Sequence, residues 1–486
     1  MKKLQRTPET AAVVWGRRAF LFSPALFFAV ALATYWPHID DFFALDDYVW
    51  LQAADTGNVP QFLKQAFSFP AGTVLDYPTP FWRPLIDVYF LVAWRLFGLG
   101  PEPYHAVNIV LHATNAALLI VLMRQIGASR ATGLTAALLF LVLPAYGFAV
   151  TWISGVTELL AACFYLISLV AFVAYLRGTQ RAALFYAAAL LAFLLALLSK
   201  ESCVTLPAIL AGLALALRPP RSVGDLRRRL WELGPFVSLA AAYFVFLYVQ
   251  EYEAAAEGGL YRFGWHFFEN MWGYLRWITF PFPEAEIEWA RELQVATALA
   301  FIALGVWTLA ARKRVRALFF TWVIVALLPY SFFESGIEAR YTYAASIPLA
   351  GFAVLMLSPV FGEMRDRLGP LPSFTFAAGV LIVGGVFLAG EVRNNQAWIG
   401  RQANEYSKLF HETPLLCGRS SPGQIYLIES PLFDYHGSST RMTLNLLYDD
   451  VAVHLLERRD PIPPDVSTDD CVLKYSSGRY VRIRGP

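Results

Sequence analysis

The chain has 486 residues and a formal net charge of +2; 57% of its residues are hydrophobic, 15% aromatic and only 16% charged, and its mean hydropathy is +0.47. Soluble domains carry about a quarter charged residues, so a soluble enzyme is excluded and an all-α polytopic membrane protein is expected. No nucleic acid partner is expected, and charge matters here through its division between the two sides of a bilayer.

The first apolar run, 19–36, follows the basic MKKLQR and Arg17–Arg18. It reads either as a first span or, with the small residues of AVALAT ending near Ala33, as a removed signal peptide. Further runs near the roughly 20 apolar residues that a bilayer requires lie at 104–124, 132–150, 154–176, 182–199, 203–217, 234–250, 294–310, 317–332, 342–359 and 372–391. Two aromatic-rich stretches, Phe81 to Gly98 and FGWHFFENMWGYLRWITFPFP, are interrupted by charge and read as interfacial amphipathic helices.

Basic residues cluster at Arg124 and Arg130, Arg177 and Arg181, in the loop from Arg218, at Arg312 to Arg316, and at Arg365 and Arg367. Placing all of them in the cytoplasm requires about eleven spans and a cytoplasmic N-terminus. The opposite side then receives a first external loop, 38–103, the SKES turn at Ser199 to Ser202, the turn ending in EARY at Tyr341, and everything after about residue 392. This tail, 393–486, reads as a small extracytoplasmic α/β domain. QIYLIESP is a strand, STRMTLNLLYDDVAVHLL a helix, and CVLKYSSGRYVRIR a hairpin with a Ser-Gly turn. Cys417 and Cys471 lie within it, where an oxidising compartment permits a disulfide; Cys163 and Cys203 lie in apolar runs.

This topology gathers Asp46, Asp47, Arg83, Glu158, Lys200, Glu201, Glu338 and Arg340 on one face. A transporter would keep ionisable groups near the midplane instead. The paired Asp46 and Asp47 suit a general base whose neighbour of like charge raises its proton or cation affinity, although such pairs also serve as solvated turns and caps. Lys200 and Arg340 stand where a cation can bind a lipid phosphate, or where a long side chain simply snorkels. Glu158 is equally readable as a helix cap or a cation ligand. His105, Asn108, His112 and Asn115 share one helical face. Two turns, about 10 Å, separate the histidines, so interhelical hydrogen bonding is favoured over a metal.

The segments FWRPLIDVYFLVAWRLFGLGPEPYHAVNIVLHATNAALLIVLM, TWISGVTELLAACFYLISL, LALLSKESCVTLPAIL and EARYTYAASIPLAGF resemble, in order and spacing, the GT-C membrane glycosyltransferases. The branch they are most similar to is that of the protein O-mannosyltransferases and the TPR-containing transmembrane O-mannosyltransferases. The resemblance covers roughly residues 20–390, giving a catalytic membrane domain at 1–392. It implies a polyprenyl-phosphate sugar donor and an acidic pair whose leading residue, Asp46, is the base, with Asp47 beside it. It also implies donor phosphate contacts from Lys200 and Arg340, with Arg83 matching the arginine of RPL; Glu201 and His105 are further site candidates. Val156 and Glu158 depart from the arginine and aspartate of many relatives, and no TPR repeats follow the last span.

The expected activity is inverting transfer of one sugar from that donor to a protein, glycan or lipid acceptor among membrane lipids. A requirement for a divalent cation, magnesium or manganese, is open, because no dense ligand set is visible. The rivals are transfer of another lipid-borne group, such as phosphoethanolamine, and a non-catalytic lipid-linked-glycan transporter or scaffold.

Overall fold

A computed structural model describes residues 23–68, 81–254, 264–282, 289–368, 384–392 and 397–484, apart from positions 179 and 335 and short stretches between 419 and 468. Its helices are α1 (Ser23–Tyr35), α2 (Asp47–Ala54), α3 (Val59–Phe67), α4 (Pro84–Phe97), α5 (Pro101–Gln125), α6 (Arg130–Val142), α7 (Val156–Leu176) and α8 (Ala182–Ser199). There follow α9 (Leu206–Leu217), α10 (Val223–Ala254), α11 (His266–Thr279), α12 (Ala290–Ala310), α13 (Arg314–Ser331), α14 (Tyr343–Leu368), α15 (Ala397–Cys417) and α16 (Ser438–Asn445).

Seven of the described helical segments are long and apolar enough to cross a membrane: α5, α7, α8, α10, α12, α13 and α14, while α1, α6 and α9 are shorter apolar helices. The chain is therefore an integral, multi-pass membrane protein. Connections on one side are tight. Gly127, at φ +95°, ends α5, and Ser129 caps α6 by accepting from the Thr132 amide, so the two helices pack as an antiparallel pair. On the other side the turns are longer and carry the polar residues.

Several expected boundaries move. The run read as one span over 132–150 stops at Val142, because Pro144 cannot continue the helix, and 3-10 turns at Pro144–Ala149 and Ile153–Gly155 follow. The run at 203–217 likewise divides into a 3-10 turn at Glu201–Thr205 and α9. By contrast α10 begins 11 residues before the expected span. Its basic start is itself helical, tied by Arg228 and Arg229 to Glu232 one turn on. The expected span at 372–391 lies largely outside the described residues, although 384–392 is helical. Both interfacial stretches form short helices, α4 and α11; at about 21 Å for 14 residues they are too short to span.

In the tail, β1 (Gln424–Ile428), β2 (Ala452–Leu456), β3 (Cys471–Ser476) and β4 (Arg479–Arg484) form one sheet in the order β2-β1-β3-β4. β1 pairs in parallel with β2 and β3, and β3 and β4 form a hairpin. Ser477 and Gly478, both at positive φ, make its two-residue turn. The segment read as one helix over STRMTLNLLYDDVAVHLL is instead α16 followed by β2. Alternating residues of AVHLL fit a pleated strand, and a parallel β1–β2 pair needs α16 as its crossover. Cys417 at the end of α15 and Cys471 at the start of β3 form a disulfide.

The tail is joined to the first loop by packing. Tyr406 of α15 lies 5.1 Å from Tyr48 of α2, Phe410 lies 5.6 Å from Phe42, and Trp398 lies 5.6 Å from Phe148. One buried cluster contains Phe43, Tyr48, Phe90, Tyr104, Ile399 and Tyr406, so the loop, α4, the outer end of α5 and α15 share a core.

Candidate active site

Four turns meet at one end of the bundle: the start of α2, the turns between α6 and α7, the turn between α8 and α9, and the segment between α13 and α14. Two glycines let them approach. Gly155 brings its backbone so close to Ala149 that a Cβ would stand 2.0 Å from the Ala149 carbonyl oxygen. Gly147, at φ +50°, passes Ala339 with only 3.0 Å for a Cβ. Thr342 and Trp277 both donate to the Ala145 carbonyl, pinning the same turn to α11 and to the start of α14. Asn270 of α11 donates to the carbonyls of Ser331 and Phe333. The interfacial helix thus supports the segment that carries Arg340.

Asp46 and Asp47, adjacent in sequence, face opposite environments. Asp46 starts α2 with its side chain 58% exposed, and its Oδ2 lies 4.0 Å from Arg340 Nη1. Asp47 is 1% exposed. Its Oδ2 accepts from the Ala44 amide at 2.9 Å, and its Oδ1 accepts from the Ser154 amide at 2.7 Å and from the Ser154 hydroxyl. Burial pushes the Asp47 carboxyl up to about 7; the Ser154 and Ala44 hydrogen bonds oppose this and the neighbouring Asp46 charge adds to it.

Arg340 sits between aromatic faces, 4.7 Å from the Trp152 ring and 4.9 Å from the Tyr341 ring, with Nε 2.6 Å from Glu338 Oε2. Its side chain remains 20% exposed. Lys200, read from sequence as an interfacial ammonium, is instead 2% exposed. Its Nζ lies 2.9 Å from Glu158 Oε1, 5.3 Å from the Tyr341 ring and 5.8 Å from the Tyr330 ring. Burial lowers the Lys200 pKa and the Glu158 charge opposes that. Glu158, in the first turn of α7, accepts from the Tyr330 hydroxyl at 3.3 Å as well. It is thus the partner of a buried lysine. Arg83, preceding α4, makes a two-pronged pair with Glu201 at 3.0 and 2.9 Å. It ties the interfacial helix to the turn next to Lys200.

Asp46, Arg340, Lys200, Glu158, Glu201 and Arg83 are thus brought together, linked through Tyr341. His105 is not among them: its Nε2–H donates to the Asp41 carbonyl at 2.8 Å, and Asp41 itself pairs with His38 at 2.7 Å. The rest of the polar stripe on α5 bonds between helices. Asn108 donates to the carbonyls of Val150, Trp152 and Ile153. Deeper, His112 and Asn115 both contact the Tyr343 hydroxyl, at 2.9 and 3.0 Å. Sequence reasoning missed Trp152, Ser154, Tyr330 and Tyr341; Ser154 stands four residues before Glu158 and Tyr341 directly after Arg340, whereas Trp152 and Tyr330 carry no such signal. It also missed Asp87 on α4, whose carboxyl burial lifts to about 7 against the pull of Arg83.

Among the described residues no three His, Cys, Asp or Glu stand close enough to hold a metal ion. The acidic pair does not fit a shared divalent cation, since both Asp47 oxygens already face donors and point away from Asp46's exposed side.

No family model matches the chain. Over 138 residues, 28% of its length, it is 32% identical to Protein O-mannosyl-transferase Tmtc1 of Drosophila melanogaster, and spans 16% of that relative. Its fold is similar to that of ArnT from Cupriavidus metallidurans bound to undecaprenyl phosphate, with a TM-score of 0.50, 15% identity, and 90% of this chain and 86% of that one covered. It is also similar to the Archaeoglobus fulgidus oligosaccharyltransferase tethered with an acceptor peptide containing the NVT sequon. There the TM-score is 0.53 and the identity 11%, with 89% and 64% covered. Both are glycosyltransferases of the GT-C fold, and GT-C is the fold of this chain.

Proposed function

We propose that this protein transfers a sugar from a polyprenyl-phosphate donor to an acceptor on the extracytoplasmic side of the membrane, by a single inverting displacement. The observation that carries the reading is the meeting of Asp46 and Arg340 at 4.0 Å, from opposite ends of the chain, at one end of a GT-C bundle. The ArnT neighbour bound to undecaprenyl phosphate favours a polyprenyl phosphate as the leaving group.

In this mechanism Asp46 takes the proton of the acceptor hydroxyl as its oxygen attacks the anomeric carbon. The bond from that carbon to the phosphate oxygen breaks, and its electron pair leaves with the lipid phosphate. Arg340, fixed between Trp152 and Tyr341, neutralises the departing phosphate. Arg340 Nη1 stands 4.0 Å from Asp46, so a donor phosphate held by the guanidinium lies beside the base. Lys200, paired with Glu158, braces the Tyr341 ring from behind, and Arg83 with Glu201 fixes the loop. Asp47 supports Asp46 from beneath.

The same reading gives eleven spans, a cytoplasmic N-terminus and an extracytoplasmic tail at 393–486. Packing of Tyr406 on Tyr48 keeps the tail and the first loop on one side, and the Cys417–Cys471 disulfide suits an oxidising compartment. The acceptor class, protein, glycan or lipid, belongs to the open surface around Asp46.

Asp46→Asn is expected to leave expression and melting temperature unchanged and to lower transfer from undecaprenyl-phosphate mannose in membranes by about 10²–10⁴-fold. Full transfer by this variant sinks the base assignment, and no transfer by the wild type favours a transporter or scaffold.

A further inference from the structure

We infer that Ser154 and Asn108, acting through Asp47, are positioning residues that hold Asp46 at the open end of the site. The inference rests on Asp46 being the base.

Leu45, immediately before Asp46, has φ +55°. A branched side chain avoids that region, so the conformation must be imposed by its neighbours. They are clamped on both sides. Before it, the Ala44 carbonyl accepts from Trp152 Nε1–H at 3.0 Å, and the Ala44 amide donates to Asp47. After it, Asp47 takes the amide and hydroxyl of Ser154. These hydrogen bonds flanking Leu45 therefore end on Trp152, on Ser154, or between Ala44 and Asp47.

That short turn is itself held from the membrane side. Asn108, fully buried in α5, directs its amide nitrogen to the carbonyls of Val150, Trp152 and Ile153, at 3.3, 2.8 and 3.4 Å. Trp152 meanwhile provides one face of the Arg340 slot. One rigid turn thus sets the position of the carboxylate through Asp47 and of the guanidinium through Trp152. A shift of the turn moves both the carboxylate and the guanidinium.

The titratable groups facing Asp47 are Asp46 and Tyr48 on α2, Tyr89 on α4 and Tyr104 on α5. The direct partners of its carboxylate are the neutral donors of Ala44 and Ser154, and the latch depends on them. An amide at 47 would have to turn its NH₂ toward one of those two N–H groups.

The test uses the full-length protein in lipid nanodiscs, with undecaprenyl-phosphate mannose labelled in the sugar as donor. Ser154→Ala removes only the hydroxyl. It is expected to lower kcat about tenfold, to leave the donor KM within about twofold because Asn108 still holds Trp152 and with it the Arg340 slot, and to speed amide exchange across residues 44–50. Asp47→Asn is expected to do the same more strongly. Wild-type kcat together with unchanged exchange in Ser154→Ala overturns the latch, and the base reading then stands alone if Asp46→Asn is inactive. Full turnover by Asp46→Asn overturns the base reading instead and removes the catalytic purpose of the latch, whatever the exchange data give.

Discussion

Two polar clusters lie along α5, and they are built from different chemistry. At its outer end Asn108 supports the turn beside Asp46 and Arg340, where four carboxylates and three cations meet near water. One to two turns deeper, about 6–10 Å, His112 and Asn115 bind the Tyr343 hydroxyl, and Tyr146 and Tyr35 extend the chain of hydroxyls. Every partner there is neutral. Hydrogen bonds between neutral groups satisfy a buried interior, whereas charges need partners and access to solvent. The deep cluster can therefore fix helix positions and the outer one can do chemistry.

The largest effect that separates them is expected from Glu158→Gln, which leaves Lys200 buried without its counter-charge. Loss of about 3–5 kcal/mol is expected, read as a lowered melting temperature in detergent. Glu158→Leu combined with Lys200→Met should recover most of it. If Glu158→Gln melts like the wild type, the pair is not the buried charge balance described above.

Tyr343→Phe, in the deep cluster, removes one hydroxyl shared by His112 and Asn115 and should cost about 0.6–2 kcal/mol. Sugar transfer should be unchanged, and a loss of transfer with intact stability would erase the division of labour. The smallest effect concerns pH. Asp87 holds its proton up to about 7, whereas its ordinary value is 3.8. Between those values the folded chain binds a proton that the unfolded chain has released, so this group's contribution to stability falls as pH rises through the window. Asp87→Asn should flatten that part of the melting profile, and Tyr343→Phe should leave it as in the wild type.

The pairing of Arg83 with Glu201, and of Asp46 with Arg340, was legible as a shared membrane side, because charge bias along the chain sorts loops before any contact is known. Their mutual distances were not. Asp46 and Asp47 are equivalent as letters, and only the turn at 152–154, folded back by Pro144 and Gly155, makes one exposed and the other sealed. Lys200 misled for a related reason: a lysine ending an apolar run reads as surface, and its burial depends on Glu158 from another helix. The α15 helix left almost no apolar signal, since its buried face matches the first loop rather than lipid. The strand β2 was hidden because it follows α16 with only a short connection, and its parallel partner is distant in sequence.

The contact between Tyr48 and Tyr406 spans 358 positions of the chain. Residue 48 is synthesised well before residue 406, so the first loop is made before its packing partner exists. The aromatic surface of Phe42, Phe43 and Tyr48 stays uncovered for most of synthesis. It is closed only when every intervening segment has been threaded in the right direction and the tail has arrived on the same side. A chain that miscounts one crossing delivers its tail to the wrong compartment and leaves the loop unfinished. The core beneath the first loop is thereby closed only after the tail has been made.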